Sequence, residues 1–143
     1  MTKVGYYLAY TMIASFAVRG VSHATRRSTS SAIQRFGVDK RYSESVVANG
    51  MVHTAGQVGG GANIGEATKA ALADLDAALA LAGVDKSKLV SMTIYLKNIS
   101  DYDGMNEIYD QWVVPGHPPA RATVQALLAK PEWLVEVTGV AAM

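Results

Sequence analysis

Residues 43–57 read SESVVANGMVHTAGQ, and the architecture of the chain follows from how this stretch folds. Ser43 to Ala48 and Met51 to Gln57 are two strand-like runs split by Asn49-Gly50. Asn and Gly both tolerate the left-handed backbone that a two-residue hairpin needs, so the runs are expected to pair antiparallel. Gly59-Gly60-Gly61 reads as a flexible turn that ends the second run. Without a following Lys-Ser or Lys-Thr it does not make a phosphate-binding loop. Asn63 with Glu66 then has the form of a helix N-cap and its reciprocal partner. Ile64, Ala67, Ala71, Leu72, Leu75, Ala78, Leu79 and Ala82 recur at helical spacing, predicting an amphipathic helix that ends at Gly83.

Further along, Leu89 to Lys97 alternates, with Val90, Met92, Ile94 and Leu96 on one side and Ser91, Thr93, Tyr95 and Lys97 on the other, which predicts a strand between two different environments. Ser100 is placed to cap a second helix with an apolar stripe of Tyr102, Met105, Tyr109 and Trp112, closed off by Pro115-Gly116 and Pro118-Pro119. Strands are expected over Ala120 to Leu127 and Leu134 to Ala142, with a short one near Ile33 to Phe36. This order describes a single α+β domain with two helices on one face of a mixed sheet. Arg121, Thr123 and Gln125 share one side of their strand and Ala122, Val124 and Ala126 the other, while Glu136 and Thr138 oppose Val135 and Val137. On this reading the apolar sides take the helices and the helix-free face holds the chemistry. So short a chain has no third helix for that face, and burial by sister subunits in a closed homo-oligomer is the economical solution.

The 143 residues are half hydrophobic and 17% charged, enough for one domain with a buried core. Residues 1–38 carry five bases and no acid, leaving residues 39–143 with 8 bases against 12 acids. That balance lacks the clustered basic stripe of a nucleic-acid binder. The absence of cysteine removes disulfides, thiolate metal sites and thiol nucleophiles. His23, His53 and His117 have no metal-ligand spacing, so no bound transition metal is expected. Residues 1–31 are set apart as an N-terminal extension. Its apolar run Val4 to Val18 fits a signal-peptide core and is short for a membrane span, the basic, acid-free segment with its Arg26-Arg27-Ser28-Thr29-Ser30-Ser31 end fits an organelle transit peptide somewhat better, and a non-functional or structural extension carries the largest share. The compartment is accordingly cytoplasmic, or mitochondrial or another organelle if the extension is a transit peptide.

Tyr42, Ala55-Gly56-Gln57, Gly104-Met105-Asn106, Pro119-Ala120-Arg121-Ala122-Thr123-Val124 and Leu134-Val135-Glu136-Val137 occur together and in order. In these segments residues 32–143 resemble the reactive intermediate deaminase (Rid, or YjgF) family. The resemblance implies a chorismate-mutase-like fold and a homotrimer whose sheets form a central barrel, with active sites between subunits. It implies hydrolysis of 2-imino acids such as 2-iminobutanoate and 2-iminopropanoate to 2-keto acids and ammonia, without a cofactor. Arg121 and Glu136 match the catalytic positions, and Tyr42, Gly56, Asn106 and Thr123 match ligand contacts. Thr123 departs from the cysteine or serine frequent there, and its extra methyl narrows the pocket.

The residue types suit that chemistry. A planar guanidinium fixes a carboxylate by two parallel hydrogen bonds, the role for Arg121. A nearby carboxylate orients water and relays its proton, the role for Glu136. Each has a plainer alternative: an Arg121–Glu136 structural ion pair, packing for Tyr42, a helix-to-sheet bridge for Asn106, and core or subunit contacts for Trp112 and Trp133. Two other functions remain open, a regulatory trimer that binds small carboxylates without turnover, and ribonuclease activity, against which the acidic domain argues.

Overall fold

The computed structural model describes residues 32–143. The readings of residues 1–31 lie outside the described residues. The chain runs β1 (Gln34–Val38), β2 (Ser43–Ala48), β3 (Met51–Thr54), β4 (Gln57–Gly60), α1 (Ile64–Leu81), β5 (Leu89–Leu96), α2 (Tyr102–Trp112), β6 (Ala120–Gln125) and β7 (Trp133–Ala142). The sheet order is β1-β2-β3-β7-β5-β6, with β4 also on β7. β5 and β6 are parallel and the other pairs antiparallel, so the sheet is mixed. Both helices lie on one face, giving a single α+β domain.

The hairpin forms as the sequence requires. Asn49 has φ 51° and Gly50 φ 76°, and Ala48 faces Met51 across the turn. Two successive positive φ values match the right-handed strand twist. The second run, however, is not one strand to Gln57. Between His53, opposite Val140, and Gln57, opposite Val137, the four-residue advance on one side meets three on the other. The extra residue falls at Ala55–Gly56 and bends the strand, as a β-bulge does. Nor is the glycine run a flexible turn. Gly59 sits in β4 beneath α1, where a Cβ would overlap the Ala67 carbonyl. The missing side chain lets helix and sheet backbones touch.

At the start of α1, Glu66 N–H donates to Asn63 Oδ1 at 3.0 Å. The Glu66 carboxylate accepts from Ala62 N–H at 3.1 Å, one residue further out than the usual reciprocal arm. Its end is closed by Gly83 N–H to Ala80 O at 3.0 Å and Val84 N–H to Leu79 O at 3.2 Å, the paired bonds of a Schellman motif. Ser100 does not cap α2 as predicted. It lies inside a 3₁₀ turn over Ile99–Asp101, anchored where Ile99 N–H donates to Gln125 Oε1 at 3.1 Å.

The core lies between the helices and the sheet. Leu72, Leu75 and Leu79 of α1 and Met105 of α2 pack on Val52, Ile94, Leu96, Val135 and Val137, all buried. Burial of each large side chain stabilises by roughly 1.5–3 kcal/mol.

One prediction about facing is overturned. Arg121, Thr123 and Gln125 stand in register with Met92, Ile94 and Leu96, whose side chains are buried beneath the helices. The polar side of β6 therefore faces the helical layer. Ala122 and Val124 look to the open face, in rows with Thr93–Thr138 and Tyr95–Glu136. The reason is local: α2 presents polar side chains, Tyr102 and Asn106, to this edge strand and so satisfies a polar row. The helix-free face keeps apolar residues, Val124 being 43% exposed.

Candidate active site

The six residues singled out from the sequence fall into two groups of three at separate places on the domain, one between α2 and β6 and one around the bend between β3 and β4. Asn106, Arg121 and Thr123 form the first, between α2 and β6. Arg121 Nη1 donates to Asn106 Oδ1 at 2.9 Å and Nη2 donates to the Tyr102 hydroxyl at 3.4 Å. The guanidinium carbon lies 4.4 Å from the centre of the Tyr109 ring and 6.0 Å from that of Tyr102. Two of the five guanidinium N–H donors are thus engaged within the chain, and three remain for a ligand. The Thr123 hydroxyl is buried without a hydrogen-bond partner among the described residues. Burial pushes the Tyr109 phenol above its ordinary value, with the Arg121 charge pulling the other way and Asp110 pushing it further up. The ring stays neutral at physiological pH.

Tyr42, Gly56 and Glu136 form the second group. They line one cavity of about 370 Å³ together with Glu44, Gln57, Asp74 and Trp133. Gly56 and Glu136 also border a neighbouring hollow lined by Tyr95, Leu127, Leu128 and Thr138. The bulge carries Gly56 against the Glu136 side chain, and a Cβ at Gly56 would overlap its carboxylate. The adjacent Gln57 is held by donating to Glu44 Oε2 at 3.0 Å. Among the described residues the Glu136 carboxylate has neither a hydrogen-bond nor an ion-pair partner.

Within one chain Arg121 and Glu136 therefore form no ion pair. Glu136 stands opposite Tyr95, which stands opposite Val124, three residues along β6 from Arg121. Two strand spacings of about 4.8 Å and three residues at about 3.3 Å separate their Cα atoms by roughly 14 Å. Their side chains also leave the sheet in opposite directions. The charge of the two groups differs too: a cation in the first, the carboxylates Glu44, Asp74 and Glu136 in the second. Among the described residues no cluster of His, Cys, Asp and Glu is suited to hold a metal ion.

Sequence reasoning missed Tyr102 and Tyr109 as partners of Arg121, assigning both to a core stripe. Their signal was the spacing of Tyr102, Asn106 and Tyr109, which puts all three on one face of α2. Trp112 is held within the chain, its Nε1–H donating to Asp76 Oδ2 at 2.9 Å beside Lys86.

Residues 32–143 match the model of the family described as Endoribonuclease L-PSP. The chain belongs to this L-PSP family, whose members are also called YjgF, Rid and RutC proteins. A RutC family protein of Haemophilus ducreyi is 39% identical over 78% of this chain and 97% of its own. The RutC family protein YoaB of Escherichia coli is 38% identical over 78% and 98%. A crystal structure of a YjgF family member from Neisseria meningitidis superimposes with a TM-score of 0.75 at 44% identity, over 77% of this chain and 93% of that one. The L-PSP match thus covers the whole described domain, both residue groups included. Among the described residues no helix is long and apolar enough to cross a membrane.

Proposed function

We propose that this L-PSP family protein hydrolyses reactive 2-imino acids, such as 2-iminobutanoate and 2-iminopropanoate, to 2-keto acids and ammonia. The observation that supports the reading most is the division of the site into a cationic half and an acidic half. A protonated 2-imino acid is a small zwitterion, with a carboxylate beside a C=NH₂⁺ carbon. Arg121, braced by Asn106, offers the two parallel N–H groups that grip the carboxylate, with Thr123 beside it. Glu136 offers a base for the water that attacks C2. Tyr42 and the Gly56 backbone line its approach.

The reaction is R–C(=NH₂⁺)–COO⁻ + H₂O → R–C(=O)–COO⁻ + NH₄⁺. Glu136 accepts a proton as the water oxygen bonds to C2, and the C=N electron pair moves onto nitrogen. The carboxyl then returns the proton to nitrogen. The C–N bond breaks as the hydroxyl of the tetrahedral intermediate gives its proton back to the Glu136 carboxylate and becomes the keto oxygen, and the departing ammonia takes that proton to leave as ammonium.

Arg121 and Glu136, whose side chains leave the sheet in opposite directions from Cα atoms roughly 14 Å apart, cannot both reach a molecule a few ångströms long within one chain. The site is therefore composed between subunits, Arg121 from one and Glu136 from its neighbour, in a homotrimer that covers the open sheet face. The carboxylates of the second half would repel a phosphate backbone, which argues against ribonuclease action at this site. Ammonia or keto-acid release from freshly generated 2-iminobutanoate tests the reading, alongside Arg121→Ala and Glu136→Gln. Acceleration by wild type and loss in both variants is expected. A folded protein that binds 2-ketobutyrate through Arg121 without accelerating hydrolysis would instead be a carboxylate-binding regulator.

A further inference from the structure

Arg121 is the only predicted site residue held by aromatic side chains, and the two that hold it differ in kind. Tyr109 is 5% exposed, lies with its ring 4.4 Å from the guanidinium carbon, and packs at 5.8 Å against Trp112. Its hydroxyl is buried and has no hydrogen-bond partner among the described residues. A buried phenol that makes no hydrogen bond carries a desolvation cost that phenylalanine would avoid, so what the site uses here is the ring. A π-face beneath a partly desolvated guanidinium attracts it and fixes its plane. Tyr102, by contrast, is 40% exposed, its ring centre lies farther from the guanidinium carbon at 6.0 Å, and its hydroxyl is 3.4 Å from Nη2 at the long limit of a hydrogen bond. Because that hydroxyl accepts from Arg121, its own proton is left to donate.

We propose that Tyr109 is a positioning residue that sets the plane of Arg121, and that Tyr102 is a substrate contact whose hydroxyl donates to the carboxylate held by Arg121. The inference rests on Arg121 being the carboxylate grip. It adds a buried platform against the guanidinium and a third, solvent-exposed donor beside Nη2. Asn106 at 2.9 Å on Nη1 completes the brace, so the rotation of the guanidinium is limited at three points before any ligand arrives. Tyr102, Asn106 and Tyr109 all come from one helix, so the grip is preformed within a single chain.

Calorimetric titration of the whole protein with 2-ketobutyrate, an unreactive product, reads the grip without turnover. Tyr109→Phe should bind as wild type does and be at least as stable. Tyr109→Met, which fills the space without a π-face, should bind about five- to tenfold more weakly. A purely structural role would lower the melting temperature of Tyr109→Met and leave the dissociation constant of the folded protein unchanged, which would overturn the positioning role. Tyr102→Phe should weaken binding about threefold, the loss of one hydroxyl donor. Tyr102 is exposed, so this variant remains informative if Tyr109→Met fails to fold, and unchanged affinity in it overturns the substrate contact. Binding by wild type that survives Arg121→Ala would overturn the proposed grip itself, and this inference with it. Loss in Arg121→Ala with no loss in the tyrosine variants overturns this inference alone.

Discussion

The two halves of the candidate site are finished to different degrees. Around Arg121 one chain supplies an amide oxygen, a hydroxyl and an aromatic ring, all from α2. Around Glu136 it supplies a bulge that brings backbone close, a cavity, and a carboxylate with no partner among the described residues. A binding group benefits from being held rigidly before the ligand arrives, whereas a base must stay available to move a proton. The contrast accords with a grip built within one subunit and a base presented across an interface.

The difference can be broken from the Glu136 side with a single methyl group. Gly56→Ala forces the carboxylate end of a flexible side chain to move, leaving the core untouched. Imine hydrolysis should fall by about a hundredfold, the cost of misplacing a reacting group by roughly 1 Å, with 2-ketobutyrate affinity and melting temperature little changed. An equal loss of stability would mean that Gly56 serves the fold instead. From the Arg121 side, Asn106→Ala removes a charge-assisted hydrogen bond and should weaken 2-ketobutyrate binding on the order of tenfold, as calorimetry would record.

The interface itself is probed by Val124→Asp. On an isolated chain a charge at this exposed position changes stability by less than about 0.5 kcal/mol. Across a packed subunit contact it would be buried unpaired, so light scattering should find dissociation and activity should fall with it. An intact, active trimer would remove Val124 from the interface. The smallest effect is expected at Asp85, which belongs to neither half. Hydrogen bonds from Ser87 hold its carboxyl below the ordinary range, with Lys88 and Lys86 helping. Its contribution is present above the unfolded pKa of about 3.9 and is lost as pH falls through the lower folded value. The stability gap between wild type and Asp85→Asn, followed by thermal melts, should therefore close in acid, with hydrolysis unchanged near neutrality.

Much of the fold was legible because its signals are local. Asn49-Gly50 encodes its turn, Asn63 its cap, and Leu89 to Leu96 its alternation, each within a few residues. The facing of β6 was not legible. Alternation separates Arg121 and Thr123 from Ala122 and Val124 but does not say which layer each side meets, and assigning the apolar side to the helices ignored the polar face of α2. The bend at Ala55–Gly56 was missed because the extra residue is defined only against β7, some eighty residues later. The candidate site residues were picked out by their sequence segments, while their separation into two groups depends on that pairing and on which face of β6 the helices cover.

Mixing two inactive variants tests the divided site most directly. Arg121→Ala and Glu136→Gln proteins are unfolded together, refolded as a mixture and assayed with 2-iminobutanoate. In a cyclic trimer with Arg121 and Glu136 contributed by neighbours, every mixed trimer regains one intact site, so an equal random mixture should recover about a quarter of wild-type activity. If both residues act within one chain, each subunit stays defective, and a mixture no more active than its parents would contradict the account.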